Sequence, residues 1–192
     1  MSTENPLVPS FVVTFHIKHD LIMKKIILNY GLYSGAVSAL LMAITTYSIR
    51  QNGISDNGAI YGYAGMILSM VFVYLGVRLF RDRERGGVIS FGEAFKVGGL
   101  IALISCTFYV VTWLLMYEFF LPDFMEQYIA YSLDKMKAEG KPEVDIELAR
   151  TQMADAQEMY KNPLYRVAFT FIEPLPVALL MSIVSALILK KK

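Results

Sequence analysis

Four long apolar runs, separated by short stretches that hold nearly all of the charge, set the pattern of this chain. They cover about residues 26–49, 59–80, 94–119 and 164–189. Each is close to the roughly 20 helical residues needed to cross a hydrocarbon layer about 30 Å thick. Between the third and fourth runs the period changes. Asp123 and Glu126 are placed to cap a helix carrying Met125, Ile129, Leu133 and Met136 on one face, and Gly140 with Pro142 ends it. Ile146, Ala149, Met153, Ala156 and Tyr160 then recur at three or four residues, the stripe of a second amphipathic helix that Asn162 and Pro163 stop. The pattern predicts an all-α integral membrane four-helix bundle with an exported helical hairpin over residues 120–163, between the third and fourth spans.

Composition supports lipid as the solvent. Of 192 residues 55% are apolar and 18% charged, too greasy a mixture for a typical soluble domain. The net charge of +1 conceals an asymmetry. Lys18, Lys24, Lys25, Arg78, Arg81, Arg83, Arg85, Lys96 and the terminal Lys190, Lys191 and Lys192 fall to one side, whereas the loop between the first two spans carries only Arg50. Basic residues near span ends are retained in the cytoplasm. Both termini are therefore expected on the cytoplasmic face of an inner (cytoplasmic) membrane, with residues 1–25 as an N-terminal segment and 190–192 as a basic tail. The 120–163 insertion, with nine acids against five bases, falls outside. Met23 precedes Lys24, Lys25 and an apolar run, so residues 1–22, with His16 and His19, read equally as a start-site extension.

The span boundaries carry local signals. Arg81 to Arg85 followed by Gly86 and Gly87 predicts a tight hydrophilic loop, and Ser90 with Glu93 has the spacing of a capping box opening the third helix. Small residues recur at intervals of four, as in Gly31, Gly35, Ala39 and Ala43, then Gly58 and Gly62 with Gly65 and Ser69 offset. The pattern continues in Ala94, Gly98, Ala102 and Cys106, and in Ala178, Ser182 and Ala186. Helices in lipid associate through such close backbone approach, so Gly31, Gly35, Gly58, Gly62, Gly98 and Ala102 are expected to pack the bundle, with a homo-oligomer as a second use.

Chemistry is sparse. Glu173 is the one acid inside an apolar run, next to Pro174 and Pro176, and a charge there costs about 3 kcal/mol or more. In a continuous helix the two prolines leave the carbonyls of Thr170 and Ile172 without donors beside the carboxylate, an arrangement suited to an ion or a proton. Alternatively residues 164–172 lie along the interface and Glu173 caps a helix that begins near Pro174. Glu118 and Arg50 are interface residues that could pair with Glu173 or each other. Tyr109, Trp113 and Tyr117 fit an aromatic anchor at the headgroups better than a cofactor pocket. Cys106, the only cysteine, reads as a buried small residue. The sequence shows no paired-histidine zinc motif, phosphate loop or nucleophile elbow, so no enzyme activity, cofactor, metal or nucleic-acid partner is expected.

The stretches KKIILNYGLYSG, GGVISFGEAFKVGGLIALI and NPLYRVAFTFIEPLPVALLMSIVSALILKKK resemble the bacterial membrane-protein family catalogued as domain of unknown function 4199. The resemblance covers residues 23–192 and is most distinctive at 90–96 and 173–176; residues 1–22 depart from it. It implies four spans with a long loop before the last and carries no established activity or catalytic residues. Two functional readings remain. One is a non-enzymatic envelope assembly or interaction protein whose hairpin meets a protein partner or the bilayer surface. The other is a small oligomeric transporter or channel subunit with Glu173 as its ion- or proton-handling group.

Overall fold

A computed structural model describes residues 10–191, with side chains from Leu21 onward except Ala59; the side chains of His16 and His19, and Lys192, lie outside the described residues. Four helical stretches are long and apolar enough to cross a membrane: Leu21–Asn52, Ile60–Glu84, Phe91–Phe119 and Pro163–Leu189.

The first helix, α1 (Ser10–Asn52), starts well before the expected boundary near residue 26. No proline interrupts the sequence from Ser10 to Asn52, so Lys24 and Lys25 sit on a helix already under way. α2 (Asn57–Glu84) absorbs most of the charged run predicted to be a loop. Arg81 and Asp82 pair on the helix itself, and the chain turns only at Gly86 and Gly87, whose φ of +58° and +87° glycine alone adopts freely. α3 (Phe91–Phe119) opens on Ser90, whose hydroxyl accepts from the Glu93 amide at 3.3 Å. Only half of the capping box forms, because the Glu93 carboxylate turns to Arg85 instead of reaching back to Ser90.

The expected hairpin is α4 (Phe124–Ala138) and α5 (Glu143–Lys161), joined through Gly140 at φ +70°. Asp123 makes no side-chain cap on α4, contrary to expectation. Asn162 closes α5 and caps α6 (Pro163–Ile172) by accepting from the Leu164 amide at 3.0 Å. α7 (Leu175–Leu189) completes the chain. Glu173 and Pro174 between them keep right-handed helical dihedrals, so α6 and α7 form one interrupted helix, the first of the two geometries the sequence left open.

α1 and α7 each pack against both α2 and α3, and α2 meets α3 across the short diagonal of this four-helix bundle. Its surface is inside-out relative to a soluble protein. Leu40, Ile44, Leu68, Leu180 and Ile188 point outward, while Ser34, Ser69, Ser105, Ser182 and Ser185 are buried. Ser34 donates to the Ser69 carbonyl at 2.8 Å and is hydrogen-bonded to Ser105 Oγ at 2.9 Å, joining three helices. Small side chains and hydroxyls in the interior are what helix contact in lipid requires.

Packing is concentrated at one end. Val73, Val77, Phe80, Val97, Ile101, Cys106 and Ala186 are fully or almost fully buried in the half nearest the α2–α3 turn. There Ile89 and Lys191 exchange both backbone hydrogen bonds, at 3.0 and 3.2 Å, and tie the C-terminal tail to the turn. A Cβ on Gly31 or Gly35 would come within 2.8 Å of Ile104 or 2.6 Å of Phe108, so α1 lies directly on α3. Gly98 sits 3.3 Å from Val73 and Val77 and 3.6 Å from the Ser182 backbone by the same measure, and Ala102 is 2% exposed. At Gly58 and Gly62 nothing lies within 4 Å, so these two do not pack helices as expected. The bundle has opened where they stand.

Candidate functional site: a roofed cavity in the open half of the bundle

The ends of α1, α2, α3 and α6 border a half-open cavity of about 840 Å³, and the α4–α5 hairpin lies across it. Gly58, Gly62 and Gly65 form part of its α2 wall. The apolar stripes predicted for the hairpin account for its placement. Met125, Met136 and Met153 face the cavity, and Leu133 and Ile146 are buried, Ile146 to 2% exposure. The hairpin's greasy face is thus turned to the cavity, while α4 packs on α5 and α5 on α6.

On the cavity wall, Glu173, an exposed residue, accepts a hydrogen bond from Tyr109 Oη at 2.9 Å. Glu173 is ten residues past Pro163, about 15 Å along a helix, which places it well inside the span. Two neighbouring prolines explain the position: neither can donate to the preceding turn, so the helix breaks and turns the carboxylate toward the opening. Among the described residues no lysine or arginine pairs with it. Beside it runs a hydrogen-bonded row. Trp113 Nε1 donates to Tyr160 Oη at 2.6 Å, and Tyr160 Oη lies 3.4 Å from Thr170 Oγ1. Thr170 spends its own proton on the Arg166 carbonyl at 2.8 Å, so Tyr160 is the donor of that pair.

Tyr109, Trp113 and Tyr117, expected as a headgroup anchor, each meet a partner within the protein. Tyr109 and Trp113 line the cavity, and Tyr117 stacks under Arg166, whose guanidinium carbon is 4.3 Å from the Tyr117 ring and 5.6 Å from that of Tyr160. The polar groups of Tyr109 and Trp113 find partners on the last helix and on α5, which an interface position would have left to water. Glu118 pairs with Arg166 at 3.2 Å, not with Glu173 or Arg50, and Arg50 stands exposed at the end of α1. Pro174 is fully buried at the kink, and Pro176 follows in the first turn of α7.

At the mouth, Asp56 in the α1–α2 loop accepts from Lys135 and, at 2.6 Å, from Tyr131, both on α4. The Lys135 ammonium and then the Tyr131 hydroxyl hold the Asp56 carboxyl below the usual carboxylate range. Asp56 in turn raises Lys135 above its ordinary value. This clasp joins the roof to the bundle, and sequence reasoning missed it because its members are 75 and 79 residues apart. Tyr160, Thr170 and Arg166 were missed likewise; Tyr160 carried a signal only as the last residue of an apolar stripe. Among the described residues no group of three or more histidine, cysteine or acidic side chains is placed to hold a metal ion.

An interior of serines under a leucine exterior, four helices of spanning length and a roofed cavity with an unpaired acid define a helical protein of membrane type. The chain belongs to the family described as protein of unknown function DUF4199, which it matches over residues 29–191, all seven described helices except the start of α1. No curated protein and no solved structure matches it.

Proposed function

We propose that this protein is a small non-enzymatic membrane carrier or channel subunit that admits a small molecule or ion to the cavity, with Glu173 as the group that handles it. The observation that carries this reading is the unpaired Glu173 carboxylate opening into an 840 Å³ space. An acid kept inside a span at a cost of about 3 kcal/mol is a functional group by default. A volume of that size matches a small-molecule site. The positive-inside rule places both termini in the cytoplasm of an inner membrane and the hairpin outside, so the Asp56–Lys135 clasp would control access from the exported side. One bundle forms the cavity by itself, so a homo-oligomer is not required to build it.

The interaction reading needs an apolar hairpin stripe free to meet a partner, and Met125, Met136, Met153 and Tyr160 of that stripe line the cavity. Its remaining support is Val144 and Leu148, exposed on α5 among acids. Proton flux into vesicles separates the two. With the purified chain reconstituted around a pH-sensitive dye, an imposed pH gradient should collapse faster than in empty vesicles, and Glu173→Gln should remove the difference. Equal flux in wild type and variant excludes Glu173 as a proton-handling group. Cross-links to a partner that Val144→Lys with Leu148→Lys abolishes, with flux unaffected, would favour the hairpin instead.

A further inference from the structure

We infer that the occupant of the cavity is a lipophilic organic monocation: an apolar, aromatic-compatible body carrying one positive charge that docks against Glu173. The inference rests on the carrier reading and adds the chemistry of what is carried.

Charge gives the first argument. Of the described ionisable acids and bases on the cavity wall, Asp56, Glu139 and Glu173 are acids and Lys135 is a base. Lys135 is already engaged with Asp56 at the mouth, so no base among the described residues neutralises Glu173. Tyr109, its hydrogen-bond partner among the described residues, is neutral and supplies no counter-charge. A carboxylate on an aromatic-lined wall, with no counter-charge among the described residues, favours a cation that brings its own apolar covering, because such a cation gives up little hydration on entering.

The walls give the second. Tyr61, Tyr63, Tyr109, Trp113, Tyr128 and Tyr160 bring aromatic rings to one space. Ring faces carry negative electrostatic potential and attract cations, most strongly where water is excluded. Met42, Met66, Met125, Met136 and Met153 supply soft, unbranched chains that adapt to apolar bodies of differing shape. An inorganic cation fits this lining poorly. Among the described residues no group of three or more histidine, cysteine or acidic side chains gathers at Glu173, and hard cations demand several oxygens at once. An anion would meet three acids, and a neutral molecule would leave the carboxylate uncompensated.

Trp113 is the only tryptophan and lies on the cavity wall, so its fluorescence reports occupancy directly. The full chain in mild detergent is titrated with tetraphenylphosphonium, with its near-isosteric anion tetraphenylborate, and with neutral triphenylphosphine oxide; Trp113→Phe supplies the blank. Tetraphenylphosphonium should saturate the signal, at an affinity that Glu173→Gln weakens by about tenfold or more and Glu173→Asp largely restores. Tetraphenylborate should not bind. Gly62→Phe, built into open space, should displace the cation without disturbing the packed half, and this holds the test open if Glu173→Gln fails to fold. If the neutral probe matches the cation, or Glu173→Gln changes nothing, the monocation assignment is overturned while the cavity reading survives. If none of the three saturates Trp113, both are lost.

Discussion

Gly35 and Gly62 look alike in sequence, each a small residue four positions from another glycine in an apolar helix, and the fold predicts opposite outcomes on replacing them with alanine. A Cβ on Gly35 would lie 2.6 Å from Phe108 Cγ, 2.8 Å from Cδ2 and 2.9 Å from Cβ. Ordinary carbon contacts begin near 3.5 Å, so the overlap is about 1 Å. Ring rotation relieves only part of it, because Phe108 Cβ is fixed to the α3 backbone and the helices themselves must part. Overpacking of this kind costs about 1–3 kcal/mol, against a helix-propensity gain of at most about 1 kcal/mol for alanine over glycine. Gly35→Ala should thus lose about 1–2 kcal/mol. Gly62→Ala, with nothing within 4 Å, should be neutral or gain up to about 1 kcal/mol. Unfolding of the purified chain by sodium dodecyl sulfate in mixed micelles, followed by circular dichroism, measures both. Adding Phe108→Ala should make Gly35→Ala nearly silent in a double-mutant cycle. Gly35→Ala as stable as wild type, or Gly62→Ala as damaging as Gly35→Ala, would refute the claim that the bundle is zipped at one end and open at the other.

Two further expectations concern the roof and its hinge. Asp56 is held below its ordinary 3.8 and Lys135 above its ordinary 10.5, so the clasp is complete between those values; it weakens only as pH falls through the lowered carboxyl value or rises through the raised ammonium value. Hydrogen exchange of α4 amides, corrected for its intrinsic pH dependence, should therefore show flat protection across neutral pH and faster exchange in Asp56→Asn, and indistinguishable exchange in the two proteins would show that the clasp does not hold the roof. Arg166, 13% exposed at its side chain, stacks on Tyr117 and pairs with Glu118, contacts that depend on a planar guanidinium. Arg166→Lys should lower thermal stability in detergent by about 1 kcal/mol, and an unchanged melting temperature would mean the stack contributes nothing.

How much was legible in the chain can be judged from single elements. Spans of about twenty apolar residues, the end of α4 at Gly140, the cap at Ser90 and the stop at Asn162 and Pro163 are local matters. Hydrophobic periodicity, a missing proline donor and a capping hydroxyl act within a few residues, and any reader of the sequence meets them. Gly31, Gly35, Gly98 and Ala102 were also recognisable, since close helix contact in lipid asks for small side chains. The direction in which an amphipathic stripe points is not a local property. Met125, Leu133 and Ile146 would look the same on a hairpin that meets a partner as on one that folds back over its own bundle. The aromatic series Tyr109, Trp113 and Tyr117 suited an interface until α5 and α6 brought Tyr160, Thr170 and Glu173 beside it. Asp56, Tyr131 and Lys135 had no signal at all, because a contact spanning more than seventy residues leaves no spacing to read. Sequence alone thus determined which segments are helical and greasy enough for lipid. Tertiary structure decided that the bundle is closed at one end and open at the other, because steric overlap and charge pairing depend on which surfaces meet in space, and these set where Gly62 and Glu173 face a cavity instead of a neighbouring helix.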